Sequence, residues 1–276
     1  MSTDLYFVLG NPIEHSRSPW IHTRFAELTG QDLRYERRLV PLDGLAATLE
    51  TLSGLGCRGC NITVPFKFEA ARAARHLSER VQLAGAANVL SWRPDGLHAD
   101  NTDGLGLVSD LQRNAGQPLQ GQDLLLIGAG GAAAGVLAPL LQAGPSRLTV
   151  VNRTAARAEE LVARHQALAE RTGTRLEALP LDAVAQAYDV VINATASSLA
   201  GGDIPVAATV LRRGSLALDM MYGPAAQGFL DWAAAHGAQG RDGLGMLVEQ
   251  AAEAFAIWRG VRPPSAQVLA ELRQQL

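Results

Sequence analysis

The stretch that most constrains this chain runs from Leu124 to Gly144, because it holds no charged residue. At 21 residues it is long enough to cross a bilayer. A glycine cluster, Gly128-Ala129-Gly130-Gly131, divides it. The run Leu124-Leu125-Leu126-Ile127 therefore reads as a buried strand, and residues 132–143 read as a buried helix. Strand, glycine loop and helix in this order are the context of a dinucleotide fingerprint. The glycines allow a tight turn and close approach of a pyrophosphate to the backbone. The free N–H groups of the helix start then face the phosphates. Ala133 stands at the third glycine position, where alanine is an accepted variant. A tight strand–helix turn without a ligand is the alternative reading.

The next predicted strand, residues 148–151, ends at Asn152-Arg153-Thr154, with Arg157 one turn further. NAD sites place a carboxylate about 20 residues beyond the loop, on the ribose 2′-hydroxyl. No carboxylate stands here to repel a 2′-phosphate, and two guanidinium groups can pair with one. The pattern predicts NADP(H) over NAD. Two solvated arginines at a helix start would be mildly unfavourable for the helix dipole, which supports a role for them.

The basic residues carry a second clue. Of the 24 Lys and Arg residues, Lys67 is the only lysine. Arginine serves as well in surface ion pairs but cannot release its proton, whereas an ammonium can. A lone lysine thus marks a candidate proton-transfer position, the alternative being chance of codon drift. Net charge is −3 with no basic stripe, which argues against nucleic-acid or membrane-surface binding. The start Met1-Ser2-Thr3-Asp4 lacks the basic and apolar regions of a signal peptide. Cys57 and Cys60 form a C-x-x-C, but no second ligand pair lies nearby to complete a zinc site. They read as a small buried pair in a reduced, cytoplasmic protein, and no metal site is read from the sequence.

Strands and helices alternate along the chain, which predicts α/β architecture. Strands are expected at residues 6–10, 34–40, 61–64 and 88–92. Helices are expected after Ser18-Pro19, read as N-cap and first-turn proline, and over residues 45–55, 66–76 and 79–84. Residues 1–103 form a first domain and residues 104–240 a second, Rossmann-like one. Helices over 247–259 and 266–274 close the chain, and periodicity does not say which domain they join. Three polar loops fall at expected strand ends, where ligands of α/β sheets gather. Ser16 and Ser18 stand before a helix, where they can hold a carboxylate or simply cap. Thr63 and Lys67 stand at the C-terminal end of the third strand. Asp103, the best acid candidate, closes Asp100-Asn101-Thr102-Asp103.

Taken together, six segments resemble the shikimate dehydrogenase family. They are Asn11-Pro12…His15-Ser16-x-Ser18-Pro19, Asn61-x-Thr63-Val64-Pro65-x-Lys67, Asn101-Thr102-Asp103-Gly104, Gly128-Ala129-Gly130-Gly131-Ala132, Asn152-Arg153-Thr154 and Asp242-Gly243-Leu244-Gly245-Met246-Leu247. The resemblance spans residue 6 to about 260. It implies two α/β domains: a substrate domain with a mixed, mainly parallel sheet, completed by residues 241–276, and a Rossmann-type NADP-binding domain. It implies reversible NADPH-dependent reduction of 3-dehydroshikimate to shikimate, in the pathway to chorismate and aromatic amino acids, by a monomer or homodimer.

By position, Ser16 and Ser18 look like the family's carboxylate hydroxyls. Thr63, Asn88, Asp103 and Gln250 look like ligands of the ring hydroxyls, and Tyr222 like a further substrate contact. Lys67 looks like the proton donor and acceptor. Gly128, Ala129, Gly130, Gly131 and Ala132 match the pyrophosphate loop. Asn152, Arg153, Thr154 and Arg157 match the adenosine-phosphate loop. Met220 and Gly243 match nicotinamide neighbours, and Glu79 a residue at the cofactor.

Ala133-Ala134 departs from the family, where many members carry Ser-Arg or Ser-Lys. Two rival readings stay open at this point. One is a quinate or dual-specificity relative, which often uses NAD with an acid where Asn152 stands. The other is a non-enzymatic sensor on the same fold.

Overall fold

In the computed structural model, residues 3–195 and 204–276 are described. The chain divides into two compact units, Met1–Gly106 with Val248–Leu276, and Leu107–Leu247. The sequence-based boundaries at 103/104 and 240/241 lie a few residues from these points.

The first unit begins with β1 (Asp4–Gly10), α1 (Ser18–Thr29), β2 (Leu33–Leu39), α2 (Leu45–Gly54), β3 (Gly59–Ile62) and α3 (Lys67–Ala73). It continues with β4 (His76–Leu77), α4 (Glu79–Ala84), β5 (Val89–Arg93), β6 (Gly96–Asp100) and α5 (Asp103–Ser109), the last of which leads into the second unit. The sheet order is β2-β1-β3-β5-β6-β4. β1 lies parallel to β2 and β3, while β5 runs antiparallel to both β3 and β6. On β1, Tyr6 and Val8 point to one face and Phe7 and Leu9 to the other, and all four are buried. A strand buried on both sides needs a layer on each face. Leu45, Leu49 and Leu52 of α2, at i, i+4 and i+7, cover Phe7, Leu9 and Ile62.

Two strands escape sequence reading. β4 has two residues and begins at the last residue of the expected helix 66–76, which ends instead at Ala73. β6 follows the Pro94-Asp95-Gly96 turn as the return arm of a hairpin. Ser18 also differs from expectation. It is the first residue of α1, Arg17 occupies the N-cap, and no side chain caps the helix. The Ser18 hydroxyl is thereby released from a capping role.

The other face of this sheet packs an aromatic cluster. His22 stacks on Tyr35 at 4.2 Å and 3°, next to Trp258 and Phe255. His22 is fully buried and neither ring nitrogen reaches a hydrogen-bond partner. Burial pushes its pKa down to about 3, with the nearby Asn61 amide opposing only in part. The unfolded chain binds this proton below its ordinary value of 6.5, and the folded chain does not until about 3. Stability from this group is therefore complete above pH 6.5 and is lost as pH falls towards 3. Between pH 7 and 5 the loss amounts to about 2 kcal/mol. His22→Phe should fold and show a drop smaller by that amount in urea titrations at the two pH values. An equal drop in both proteins would place the acid sensitivity elsewhere.

The second unit holds β7 (Asp123–Ile127), α6 (Gly131–Gln142), β8 (Arg147–Val151), α7 (Ala155–Thr172), β9 (Arg175–Leu179), β10 (Val190–Asn193), β11 (Leu216–Asp219), α8 (Gln227–Ala235) and β12 (Gln239–Arg241). Its sheet is parallel throughout, in the order β12-β11-β10-β7-β8-β9. This is the doubly wound Rossmann order, with the strand order reversing beside β7. The uncharged run becomes β7 and α6, with every residue from Ala133 to Leu141 buried. No helix among the described residues is long and apolar enough to cross a membrane. α8 and β12 are also absent from the sequence reading.

α9 (Leu244–Arg259) leaves the second unit, and α10 (Ser265–Arg273) follows it. Residues from Val248 onward belong to the first unit. Trp258 Nε1 donates to the Leu90 carbonyl at 3.1 Å, and α10 packs on α1. Tertiary packing thus decides what periodicity left open. Cys57 and Cys60 are free and buried, as expected. Burial pushes the Cys57 thiol up to about 12 and Cys60 well above its ordinary range, so neither supplies a thiolate near neutral pH.

Candidate active site

One edge of the first sheet gathers the polar loops. β1, β3 and β6 all end there, and the reversed β5 begins there. That reversal puts Asn88, just before β5, beside the loops that follow β3 and β6. The first loop is tied down through Asn11, whose N–H donates to the Val64 carbonyl at 3.0 Å and whose Nδ2 donates to the Val40 carbonyl at 2.9 Å. Arg37 Nε and Nη2 donate to the Ser16 carbonyl at 2.9 and 2.6 Å. Ser16 Oγ accepts from the Ser18 N–H at 3.3 Å.

Lys67 opens α3, and its Nζ donates to Asp103 Oδ2 at 2.5 Å. The two side chains are 15% and 7% exposed, so the pair is largely shielded but not sealed from solvent. Asn88 organises the carboxylate. Its Nδ2 donates to Asp103 Oδ1 at 2.8 Å, to Thr102 Oγ1 at 3.0 Å and to Gln250 Oε1 at 3.2 Å. Its Oδ1 accepts from the Thr102 N–H at 2.8 Å. Asn101 Oδ1 accepts from the Asp103 N–H at 3.1 Å, while Asn101 Nδ2 donates to the Ala86 carbonyl at 2.9 Å. Behind this loop, Arg80 clamps Asp100 with bonds at 3.0 and 2.7 Å, and Ser78 donates to the same carboxylate at 2.7 Å.

Sequence reasoning named Lys67, Asp103, Asn88 and Gln250, and the fold joins all four in one network. It did not single out Asn61, Asn101, Thr102 or Tyr35. Asn61 Nδ2 donates to the Asn88 carbonyl at 3.1 Å, and the Tyr35 hydroxyl donates to Asn61 Oδ1 at 2.6 Å. Burial pushes the Tyr35 hydroxyl well above its ordinary value, with the Ser18 hydroxyl alongside opposing. Asn61, Asn101 and Thr102 lie inside motifs already quoted, so that signal was available. Tyr35 sits on β2 with no local mark. Thr63, half-buried, continues from β3, and its N–H donates to the Leu9 carbonyl at 2.9 Å. Glu79 is exposed at the start of α4, in the first unit, with no hydrogen bond or ion pair among the described residues.

The second unit presents the glycine loop at the end of β7. Gly128 has φ +116, a region closed to side chains, and its N–H donates to the Val151 carbonyl at 2.7 Å. Gly130 has an ordinary φ of −88, and a Cβ there would meet no atom of the described residues within 4 Å. Packing among the described residues therefore does not require this glycine, and the open space at the N-cap leaves room for close approach of a ligand. Ala129, Gly131 and Ala132 are partly accessible, while Ala133 and Ala134 are buried in α6.

Asn152 Nδ2 donates to the Thr154 carbonyl at 2.9 Å, shaping the turn into α7. Arg153 and Arg157 are exposed and carry no ion pair among the described residues. Open space at the Gly130 N-cap, and two exposed guanidinium groups with no carboxylate at the Asn152 position, fit a dinucleotide bearing a 2′-phosphate.

Met220 follows β11, and its N–H donates to the Asn193 carbonyl at 3.0 Å. A Cβ at Gly243 would stand 2.3 Å from the Met220 carbonyl oxygen, so glycine is what lets the start of α9 close on Met220. Tyr222, half-buried, lies in this unit as well.

Comparisons with known proteins place the chain in a family. A family model for the shikimate dehydrogenase substrate binding domain matches residues 8–90. One for shikimate/quinate 5-dehydrogenase matches residues 110–201, and one for the shikimate 5′-dehydrogenase C-terminal domain matches residues 243–273. Shikimate dehydrogenase (NADP(+)) of Paracidovorax citrulli is 68% identical, over 99% of this chain and 98% of that protein. The protein of the same name from Methylibium petroleiphilum is 63% identical, over 98% and 94%. The crystal structure of shikimate 5-dehydrogenase from Thermus thermophilus in complex with NADP(H) and shikimate superposes with a TM-score of 0.84 at 33% identity, covering 99% of this chain and all of that one. With such identity along its full length, this chain belongs to the shikimate dehydrogenase family.

Proposed function

We propose that the chain interconverts 3-dehydroshikimate and shikimate with NADP(H), and that Lys67 moves the proton. The observation that carries this reading is the shielded Lys67–Asp103 pair, with Asn88 and Gln250 behind it. When bound, NADPH supplies the hydride. Reducing the ketone places alkoxide character on its oxygen. Lys67 Nζ donates a proton there and stabilises that charge, and in the reverse direction it takes the proton from the hydroxyl. Asp103 holds Nζ in place and accepts from a neighbouring ring hydroxyl. Asn88, Gln250 and Thr63 complete the hydroxyl contacts, with Tyr222 as a further one. Ser16 and Ser18 donate to the carboxylate.

On the cofactor side, Gly128 turns the loop, and residues 129–132 offer backbone N–H groups to the pyrophosphate. Asn152, Arg153, Thr154 and Arg157 surround the adenosine phosphate. Met220 and Gly243 flank the nicotinamide.

The direct test is NADPH or NADH oxidation with dehydroshikimate and with dehydroquinate. The reading requires the NADPH–dehydroshikimate pair to have the largest kcat/KM. A larger value with dehydroquinate or NADH would replace it with the quinate or NAD alternative.

The two serines give a narrower test. Hydrogen bonds to a charged group are worth about 1.5–3 kcal/mol, so Ser16→Ala and Ser18→Ala should each raise KM for shikimate roughly 10- to 100-fold, with a smaller effect on kcat. No capping bond is lost at Ser18. Unchanged shikimate affinity by calorimetry in both variants would place the carboxylate elsewhere.

A further inference from the structure

Away from the residues assigned above, the first unit assembles a second group of chemically capable side chains. β4 pairs with β6 so that His76 lies opposite His98. The two rings stack, with centroids 4.4 Å apart and planes at 23°. Asp95, in the turn between β5 and β6, directs its carboxylate at both. His98 Nε2 stands 2.9 Å from Oδ1 and His76 Nε2 stands 3.6 Å from Oδ2. His76 Nε2 is also 3.2 Å from the Asp95 carbonyl oxygen. One donor atom from each residue falls within 4.8 Å of the others.

We propose that His76, Asp95 and His98 form a binding site for one divalent transition-metal ion of the zinc type, with water completing its coordination. Zinc bonds of about 2.0–2.1 Å place neighbouring tetrahedral ligands about 3.3 Å apart. The measured 2.9 and 3.6 Å lie on either side of that spacing. Two imidazole nitrogens with one carboxylate suit zinc, nickel or copper rather than magnesium or calcium, which prefer all-oxygen sets.

The side chains of His76, Asp95 and His98 are 39%, 60% and 23% exposed, leaving room for water and for the ion to arrive. Arg75 and Arg93 flank the group and oppose a cation, while the Asp100 carboxylate is already held by Arg80 and Ser78. An ion here ties β4 to the hairpin that leads into Asp103, so occupancy stabilises the edge of the sheet. No spacing in the sequence points to this site, because only the pairing of β4 with β6 brings the histidines together.

The test uses the full chain without an affinity tag, stripped of metal by chelator dialysis. Calorimetric titration with zinc chloride should find one ion per chain. Cobalt(II) should develop the visible absorption bands of a low-coordinate nitrogen and oxygen site. His76→Ala and His98→Ala should each weaken zinc binding at least ~10-fold and abolish the cobalt bands. Asp95→Asn preserves the side-chain shape and should weaken binding similarly, which covers the case of a histidine variant that does not fold. His236→Ala, on the second unit, should behave as the parent. Absence of zinc binding at millimolar metal, or cobalt bands that survive in the folded His98→Ala and Asp95→Asn variants, would overturn the proposal.

Discussion

Lys67→Arg is expected to lower kcat by roughly 10²–10⁴-fold, the range for loss of a general acid–base. The variant keeps the positive charge, and the guanidinium can still pair with the Asp103 carboxylate that Nζ meets at 2.5 Å. What it loses is the capacity to give up and regain a proton, because arginine stays protonated in proteins. Shikimate affinity and melting temperature should stay close to the parent, since the ion pair and its backing by Asn88 persist. Steady-state NADPH oxidation, with calorimetry for shikimate, separates the two effects. Turnover within about threefold of the parent would show that charge alone suffices, and the proton would then have to pass through another group.

Cofactor choice should rest on Arg153, with Arg157 assisting. Both are exposed and carry no ion pair among the described residues. Losing one charged hydrogen bond costs about 1.5–3 kcal/mol, so Arg153→Ala should weaken NADP by about one to two powers of ten and leave NAD little changed. Adding Asn152→Asp supplies a ribose acceptor for NAD and repels the 2′-phosphate. The double variant should shift the NADP-to-NAD ratio of kcat/KM on the order of 10³-fold. That ratio at fixed shikimate is the measurement. If it stays at the parent value, phosphate recognition belongs to a different loop.

Much of the cofactor half is local in sequence and was legible there. A strand, a glycine turn and a helix are contiguous, and the arginines follow the very next strand. Gly128 at φ +116 is required by the turn itself. The substrate half was legible only as separate loops. Lys67 and Asp103 stand 36 residues apart, and Asn88 and Gln250 stand 162 apart. Residue type and motif made them candidates, but no spacing rule says that they touch.

The sequence by itself determined the alternation of strands and helices, the buried character of the glycine-loop strand and helix, the NADP-type turn and the oddity of a single lysine. These are properties of neighbouring residues, set by periodicity, turn chemistry and side-chain pKa range. Tertiary structure decided the rest. Reversal of β5 carries Asn88 to the edge where β1, β3 and β6 end. The return of α9 brings Gln250 onto it. The two-residue β4 brings His76 to His98. Each of these depends on long-range strand pairing or helix docking, whose free energy comes from burying surfaces far apart in the chain. A window of local sequence does not contain those surfaces.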